Sequence, residues 1–237
     1  MKNAPCYFEN GIYFYVTGIV KKVKSNIWIF SFMVFIFSCT DQNQEMKSEL
    51  IADSNDSISE PKNIKFYDNH STFRKWKDYY TSLDSNLLDN EFVLSSTTRS
   101  EFISGNIFGT FDKEFDKTYL PYLVYGIDRE KYIDFDSYHW VLVDGQPQFE
   151  VDQEVNLVNI RDKTVLRIAF CGSQELVEDA YWMNDSTVVL LENLDGTRPQ
   201  VQVIDLNTQT SKVYRSENTT ELNSEYSKMR IIGGKHD

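Results

Sequence analysis

The chain has 237 residues, of which 24 are basic and 36 acidic, giving a formal net charge of −12. This excess of acidic residues repels phosphate backbones and argues against nucleic-acid binding, whereas cationic ligands and basic partners remain compatible with it. The three cysteines, Cys6, Cys39 and Cys171, form no disulfide framework. The protein therefore depends on a hydrophobic core for its stability.

The first informative segment is a short apolar run that follows a group of basic residues. Lys21, Lys22 and Lys24 precede residues 27–38, a 12-residue run of apolar side chains and serines. A membrane-spanning helix needs about 20 apolar residues, so this run is short for a span. A basic segment followed by a short apolar one is typical of a secretory signal, which we predict over residues 1–38. A retained membrane anchor and a buried core element are the alternatives.

The end of the apolar run carries a cysteine in a particular setting. The sequence Ile36-Phe37-Ser38-Cys39 resembles the lipobox of bacterial lipoproteins. This resemblance implies cleavage before Cys39 and acylation of its thiol by fatty acids such as palmitate, which would hold the protein on a membrane of the cell envelope. In lipoprotein families an aspartate directly after the cysteine favours the inner membrane. Because Thr40 follows here, the outer membrane is the expected location. Residues 1–19 fit poorly before a signal, and we predict that translation starts at Val20.

The segment after the cysteine differs in composition from the rest of the chain. Residues 39–63 are mostly polar and acidic, and their few apolar side chains do not offset the entropy of ordering a chain. We therefore predict a disordered tether over 39–63 and a single β-rich domain over 64–237.

A helical pattern opens the predicted domain. Apolar residues recur at spacings of three and four, which places them on one face of a helix. Ser71 or Thr72 is a suitable N-cap. The face is formed by Phe73, Trp76, Tyr80, Leu83 and Leu87.

From residue 91 onward the apolar pattern alternates with a period of two, and turn residues are frequent. The sequence predicts a mainly β fold of antiparallel meander sheets, either a sandwich or an open stack of blades, with one N-terminal amphipathic helix. Residues 222–229 are compatible with one or two further helical turns. The predicted strands are 92–95, 102–103, 107–111, 122–126, 132–135, 140–143, 149–151, 155–160, 165–170, 180–183, 187–192, 200–205 and 212–215.

The last four predicted strands form a regular series with tight turns between them. The approach Trp182-Met183-Asn184-Asp185, a long apolar second strand and the run Val203-Ile204-Asp205-Leu206 resemble one blade of a β-propeller. Propellers contain about four to eight blades of roughly 40 residues each. The chain is too short for that number, so a closed propeller within it is not expected.

Sequence motifs for common chemistries are absent. The chain contains no phosphate-binding loop, no dinucleotide fingerprint, no H-E-x-x-H, no C-x-x-C and no G-x-S-x-G. No catalytic residue, metal site or cofactor is therefore predicted.

Two polar groups are candidates for ligand binding. On a strand, Asp134 and Asp136 would project from the same face, with His139 just beyond, which suits metal binding or acid–base chemistry. The alternative for these three is a solvated strand face that runs into a turn.

The second group combines carboxylates with aromatic rings. Glu178 and Asp179 precede Tyr181 and Trp182, and carboxylates beside aromatic rings are a common way to hold sugars. The alternative is an acidic turn before core aromatics.

These observations favour a non-catalytic, lipid-anchored envelope protein that binds a protein or a glycan. One alternative is a hydrolase that acts on polysaccharide through Asp134, Asp136 or Glu178. A second alternative is a neutralising partner of a basic toxin, which the acidic charge permits.

Overall fold

The computed structural model describes residues 69–85 and 92–234. The fold over these residues is mainly β, and the strand pairs are antiparallel, as predicted. The predicted signal, Cys39 and the predicted tether lie outside the described residues. Neither helix in the described part is long and apolar enough to cross a membrane. The elements in chain order are α1 (Ser71–Leu83), β1 (Val93–Arg99), β2 (Ile103–Ser104), a 3₁₀ helix (Lys117–Tyr122), β3 (Val124–Tyr125), β4 (Lys131–Asp134), β5 (Trp140–Val143), β6 (Gln146–Phe149), β7 (Gln153–Asn159), β8 (Thr164–Cys171), β9 (Glu175–Asn184), β10 (Thr187–Leu194), β11 (Arg198–Asp205), β12 (Thr210–Arg215) and α2 (Tyr226–Gly233).

The predicted helix is present as α1. The Nδ1 atom of His70 accepts a hydrogen bond of 3.3 Å from the backbone N–H of Thr72, so His70 is the N-cap instead of the predicted Ser71 or Thr72. Phe73, Trp76 and Tyr80 are buried on one face, as their spacing indicates. Leu83, predicted on the same face, ends the helix and is exposed, whereas Leu87 lies outside the described residues.

Two five-stranded sheets carry most of the fold. Sheet 1 has the order β1-β12-β11-β10-β9, and its last four strands form the predicted meander. Sheet 2 has the order β2-β8-β7-β4-β3. One apolar core contains side chains from both sheets, so the sheets pack face to face, as in the predicted sandwich or open blade stack.

The outer face of each sheet is also covered. The aromatic side chains of α1 pack on the outer face of sheet 1 in a second core. A third core on the outer face of sheet 2 includes Tyr119 of the 3₁₀ helix, Trp140 of β5 and Ile231 of α2. Helix α2 has eight residues, or two helical turns, but it begins at Tyr226, four residues after the start of the predicted segment 222–229.

Two predicted strands differ in the structure. Residues 107–111 form turns instead of a strand, because the side chain of Asp112 accepts a hydrogen bond from the N–H of Gly109 (2.9 Å) and the hydroxyl of Tyr132 accepts one from the N–H of Thr110 (2.8 Å). The predicted strand 149–151 is wrong except at Phe149, because β6 covers Gln146–Phe149 and pairs with β5 in a two-stranded hairpin. Its turn, Asp144-Gly145, has φ values of 51° and 76°, as a two-residue hairpin loop requires.

Candidate ligand-binding site

Strand β4 ends at Asp134, and the side chain of this residue turns inward. Asp134 is 1% exposed. Its Oδ1 accepts hydrogen bonds from the N–H groups of Asp136 (3.2 Å) and Ser137 (2.9 Å), and its Oδ2 accepts one from the Ser137 hydroxyl (2.7 Å). Burial raises the pKa of Asp134 to about 6, although the Ser137 hydrogen bonds oppose the shift. Asp134 therefore stabilises the loop of residues 135–139, which joins β4 to β5.

Asp136 lies within this 135–139 loop and is also 1% exposed. Both of its oxygens accept hydrogen bonds from the guanidinium of Arg230 on α2, at 2.7 and 2.9 Å. The indole N–H of Trp140 donates a third, at 2.8 Å. Burial by itself lowers the pKa of the Arg230 guanidinium, but the adjacent Asp136 raises it above its usual value, so the guanidinium is charged. Asp136 and Arg230 together fix the loop to α2.

The two aspartates therefore do not share an exposed strand face. The strand ends at Asp134, and both carboxylates point into the protein, where backbone and side-chain donors satisfy them. Instead of binding a ligand directly, they position the residues between and after them.

His139 is the member of this group that lines a cleft. The cleft has a volume of about 160 Å³, and its wall is formed by residues of three segments. Nδ1 of His139 lies 3.2 Å from the carbonyl oxygen of Asp152, whereas its Nε2 is buried and has no hydrogen-bond partner in the described part of the chain. Burial lowers the pKa of His139, so the ring is neutral at pH 7. The lining residues are Asn106, Ile107, Ser137, Tyr138, His139, Asp152 and Glu154.

Tyr138 has an unusual backbone conformation at this cleft. Its φ is 63°, a left-handed value that bulky residues rarely adopt and that costs free energy. Its ring is 45% exposed and lies 5.8 Å from the ring of Tyr119. The hydrogen bonds of Ser137 and the bond from the N–H of His139 to the carbonyl of Asp136 (3.1 Å) hold the neighbouring backbone. Strain of this kind concentrates at functional sites.

The cleft has two acidic residues: Asp152 directly precedes β7, and Glu154 is the second residue of that strand. They flank Gln153, so they project to the same side. Glu154 accepts hydrogen bonds from Arg167 and from the side chain of Asn106, both at 2.7 Å. Burial alone would raise the pKa of Glu154. The hydrogen bonds from Asn106 and Arg167 outweigh this effect, so the pKa lies below its usual value. Its negative charge is therefore largely balanced by Arg167.

Glu178 and Asp179 lie at a bulge in β9. In the register with β10, Asp179 pairs with Leu191 and Val177 with Glu192, so Glu178 has no opposite residue. Val177 and Ala180 both pack in the core between the sheets. The extra residue thus turns the two carboxylates to the outer face of sheet 1, towards α1 and α2.

Both of these carboxylates accept hydrogen bonds from other residues of the protein. Glu178 accepts hydrogen bonds from the indole of Trp76 (2.7 Å), the hydroxyl of Tyr80 (2.8 Å) and the hydroxyl of Ser224. Burial raises the pKa of Glu178 to about 7. Asp179 accepts a hydrogen bond of 2.8 Å from the hydroxyl of Tyr226. The pair therefore fixes both helices to sheet 1.

Trp182, the last of the predicted ligand-binding residues, is mostly buried. Its indole N–H donates a hydrogen bond of 2.9 Å to the carbonyl of Val124, which links the two sheets. It also borders a depression of about 10 Å³. A space of that size holds about one water molecule and no larger ligand.

The structure thus separates the predicted residues into two places. Asp134, Asp136 and His139 are close together, but only His139 reaches a cleft, whereas Glu178, Asp179 and Trp182 belong to the packing around β9. Among residues 69–85 and 92–234, no three His, Cys, Asp or Glu side chains are grouped to hold a metal ion. Tyr138, Asp152 and Glu154 also line the cleft and were not predicted from the sequence. No protein-family model, curated protein or solved structure matches this chain.

Proposed function

We propose that this protein is a lipid-anchored component of a bacterial cell envelope, located at the outer membrane, that binds a protein or a glycan without catalysing a reaction on it. The observation that carries the proposal is the burial and hydrogen bonding of the candidate acids and bases. Asp134, Asp136 and Glu178 are each buried and bonded to donors of the fold. A general acid or base must come within hydrogen-bond reach of the proton that it transfers.

A second pair of carboxylates, Asp152 and Glu154, lines the cleft, and a hydrolase would have to use it. A glycosidase needs one carboxylic acid whose raised pKa keeps it protonated. Glu154 has the opposite property, because Arg167 and Asn106 lower its pKa. Glu154 is therefore unsuited to the role of that acid.

The proposed membrane location rests on the resemblance of residues 36–39 to a lipobox. We expect protein purified from its own host to begin at Cys39 and to carry fatty acyl chains there, as measured by mass spectrometry of the intact protein. Replacing Cys39 with alanine should release the protein from the membrane fraction. Unmodified Cys39 with residues 1–38 still attached would contradict the anchor.

The proposed binding surface is the cleft at Tyr138. Glycine adopts the φ of Tyr138 without strain, so Tyr138→Gly removes the ring while relieving the backbone. We expect its unfolding free energy to differ from the wild type by less than about 1 kcal/mol. Reversible crosslinking in native envelope membranes should then capture a glycan or protein with the wild type and lose it with the variant. Equal capture by both proteins would exclude the cleft.

A further inference from the structure

We propose that the cleft binds a neutral saccharide and that the Nε2 atom of His139 accepts a hydrogen bond from one of its hydroxyl groups. This inference rests on the proposed binding function and names its ligand. Three features of the cleft lead to it: the protonation of His139, the balance of charge on the cleft wall, and the exposed ring of Tyr138.

The protonation of His139 follows from its partners. The carbonyl oxygen of Asp152 can only accept a hydrogen bond, so the contact of 3.2 Å requires the proton of the neutral ring to be on Nδ1. Nε2 is then a bare acceptor. It is buried and has no partner among the described residues, although leaving a buried polar atom unpaired is unfavourable. The group that would satisfy Nε2 must be a donor, such as the hydroxyl of a sugar.

The charge on the cleft wall favours a neutral ligand over a cation. Of the two carboxylates, Glu154 is already paired with Arg167. Ser137 and Asn106 also line the cleft, and their polar side chains are uncharged. A cation would therefore find one carboxylate without a salt-bridge partner among the described residues, that of Asp152, whereas a hydroxyl-rich ligand would find several acceptors.

The ring of Tyr138 supplies the apolar surface that a sugar needs. Its strained backbone holds an aromatic side chain, 45% exposed, at the rim of the cleft. The faces of sugar rings are apolar and pack on aromatic rings, while their hydroxyls bond to the polar groups around them. The volume of about 160 Å³ suits one small ligand group better than a protein surface.

His139 lines the cleft but its Nε2 is buried, so a ligand reaches this atom only after a neighbouring side chain moves. The ring of Phe149 lies 5.5 Å from the imidazole, and both Phe149 and Tyr138 are exposed. Exposed side chains change rotamer within nanoseconds. We expect rotation of one of these rings to give a ligand access to Nε2.

Two substitutions of His139 distinguish the role of its Nδ1 atom from the role of its Nε2 atom. In His139→Asn, the side-chain amide can still donate to the carbonyl of Asp152 but no longer reaches the position of Nε2. In His139→Gln, the longer side chain places its amide oxygen near that position. Asparagine and glutamine are both polar, like the histidine that they replace. The control is His70→Asn, because His70 caps α1 and stacks on Tyr181.

The experiment measures binding of the full-length protein to maltohexaose, cellohexaose, xylohexaose, mannohexaose and chitohexaose by calorimetry at pH 7.5. We expect at least one hexasaccharide to bind to the wild type and to His70→Asn with equal affinity. His139→Asn should bind about tenfold more weakly, and His139→Gln should recover most of the loss. Equal binding by His139→Asn, or no binding of any hexasaccharide to the wild type, would overturn the proposal.

A measurement on the wild type avoids any folding defect of the variants. The ¹⁵N chemical shifts of the His139 ring should show an unprotonated Nε2, and its resonance should move when the saccharide binds. Capture of a protein in the crosslinking experiment, lost in Tyr138→Gly and with no hexasaccharide bound, would refute the saccharide but leave the binding function intact. No capture of any partner would refute the binding function itself.

Discussion

Replacing Glu178 with glutamine should flatten the dependence of the unfolding free energy on pH between pH 5 and 8. Burial raises the pKa of Glu178 to about 7 from an ordinary value of 4.5. Between these values the folded state binds more protons than the unfolded state, so the stabilisation is complete below pH 4.5 and is lost as pH rises through 7. The difference between the two pKa values corresponds to about 3 kcal/mol.

The glutamine variant keeps the hydrogen bonds of this site. Its amide oxygen accepts from Trp76 and Tyr80, and its amide nitrogen donates to Ser224, but it has no proton to lose. The remaining slope should come from Glu192 and Asp134, since burial raises their pKa values to about 8 and about 6.

Urea unfolding at pH 5, 6, 7 and 8 measures the effect. The matched control is Glu221→Gln, because Glu221 is exposed and should leave the wild-type slope unchanged. If Glu178→Gln also keeps the wild-type slope, then Glu178 is ionised in the folded protein at all these pH values, and the raised pKa assigned to it is wrong.

Local sequence patterns predicted the framework of this fold. The spacing of Phe73, Trp76 and Tyr80 identifies the buried face of α1, and the Asp-Gly pairs at residues 144–145 and 195–196 identify hairpin turns whose residues have positive φ. These signals are reliable because the residues that produce them are neighbours in the chain. The meander of β9 to β12 follows for the same reason.

The roles of the polar residues were harder to predict, because they depend on partners far along the chain. The bulge at Glu178 inserts one residue into β9, and the alternation of the sequence gives no sign of it. The partner of Asp136 is Arg230, 94 residues away. The spacing of Asp152 and Glu154 did contain a usable signal, since two acidic residues two apart on a strand share a face.

Replacing Arg230 with methionine should lower the unfolding free energy by about 3–5 kcal/mol. Arg230 is 6% exposed, and its guanidinium binds both oxygens of Asp136 and, through Nε, the carbonyl of Glu178 at 2.8 Å. Methionine fills a similar volume but leaves the buried carboxylate of Asp136 without its counterion. Urea unfolding at pH 7 measures the loss.

The double variant Asp136→Asn/Arg230→Met tests the cause. Asparagine can still accept the hydrogen bond from Trp140 but carries no charge, so the double variant should be more stable than Arg230→Met alone. Lys228→Met is the control on the same helix, because Lys228 pairs with Glu225 at the surface (3.3 Å) and such pairs contribute about 1 kcal/mol or less. An Arg230→Met variant no less stable than Lys228→Met would contradict the assignment.

The same pair connects stability to the cleft. Asp136 holds the 135–139 loop through Arg230, and the carbonyl of Asp136 accepts the hydrogen bond from the N–H of His139. Losing Arg230 should therefore disturb His139 and Tyr138, although Arg230 does not line the cleft. The double variant has no uncompensated charge, but it also lacks the ion pair that holds the loop, so we expect it to regain stability without regaining full ligand binding. Full recovery of binding by the double variant would show that the ion pair is not needed to position the cleft.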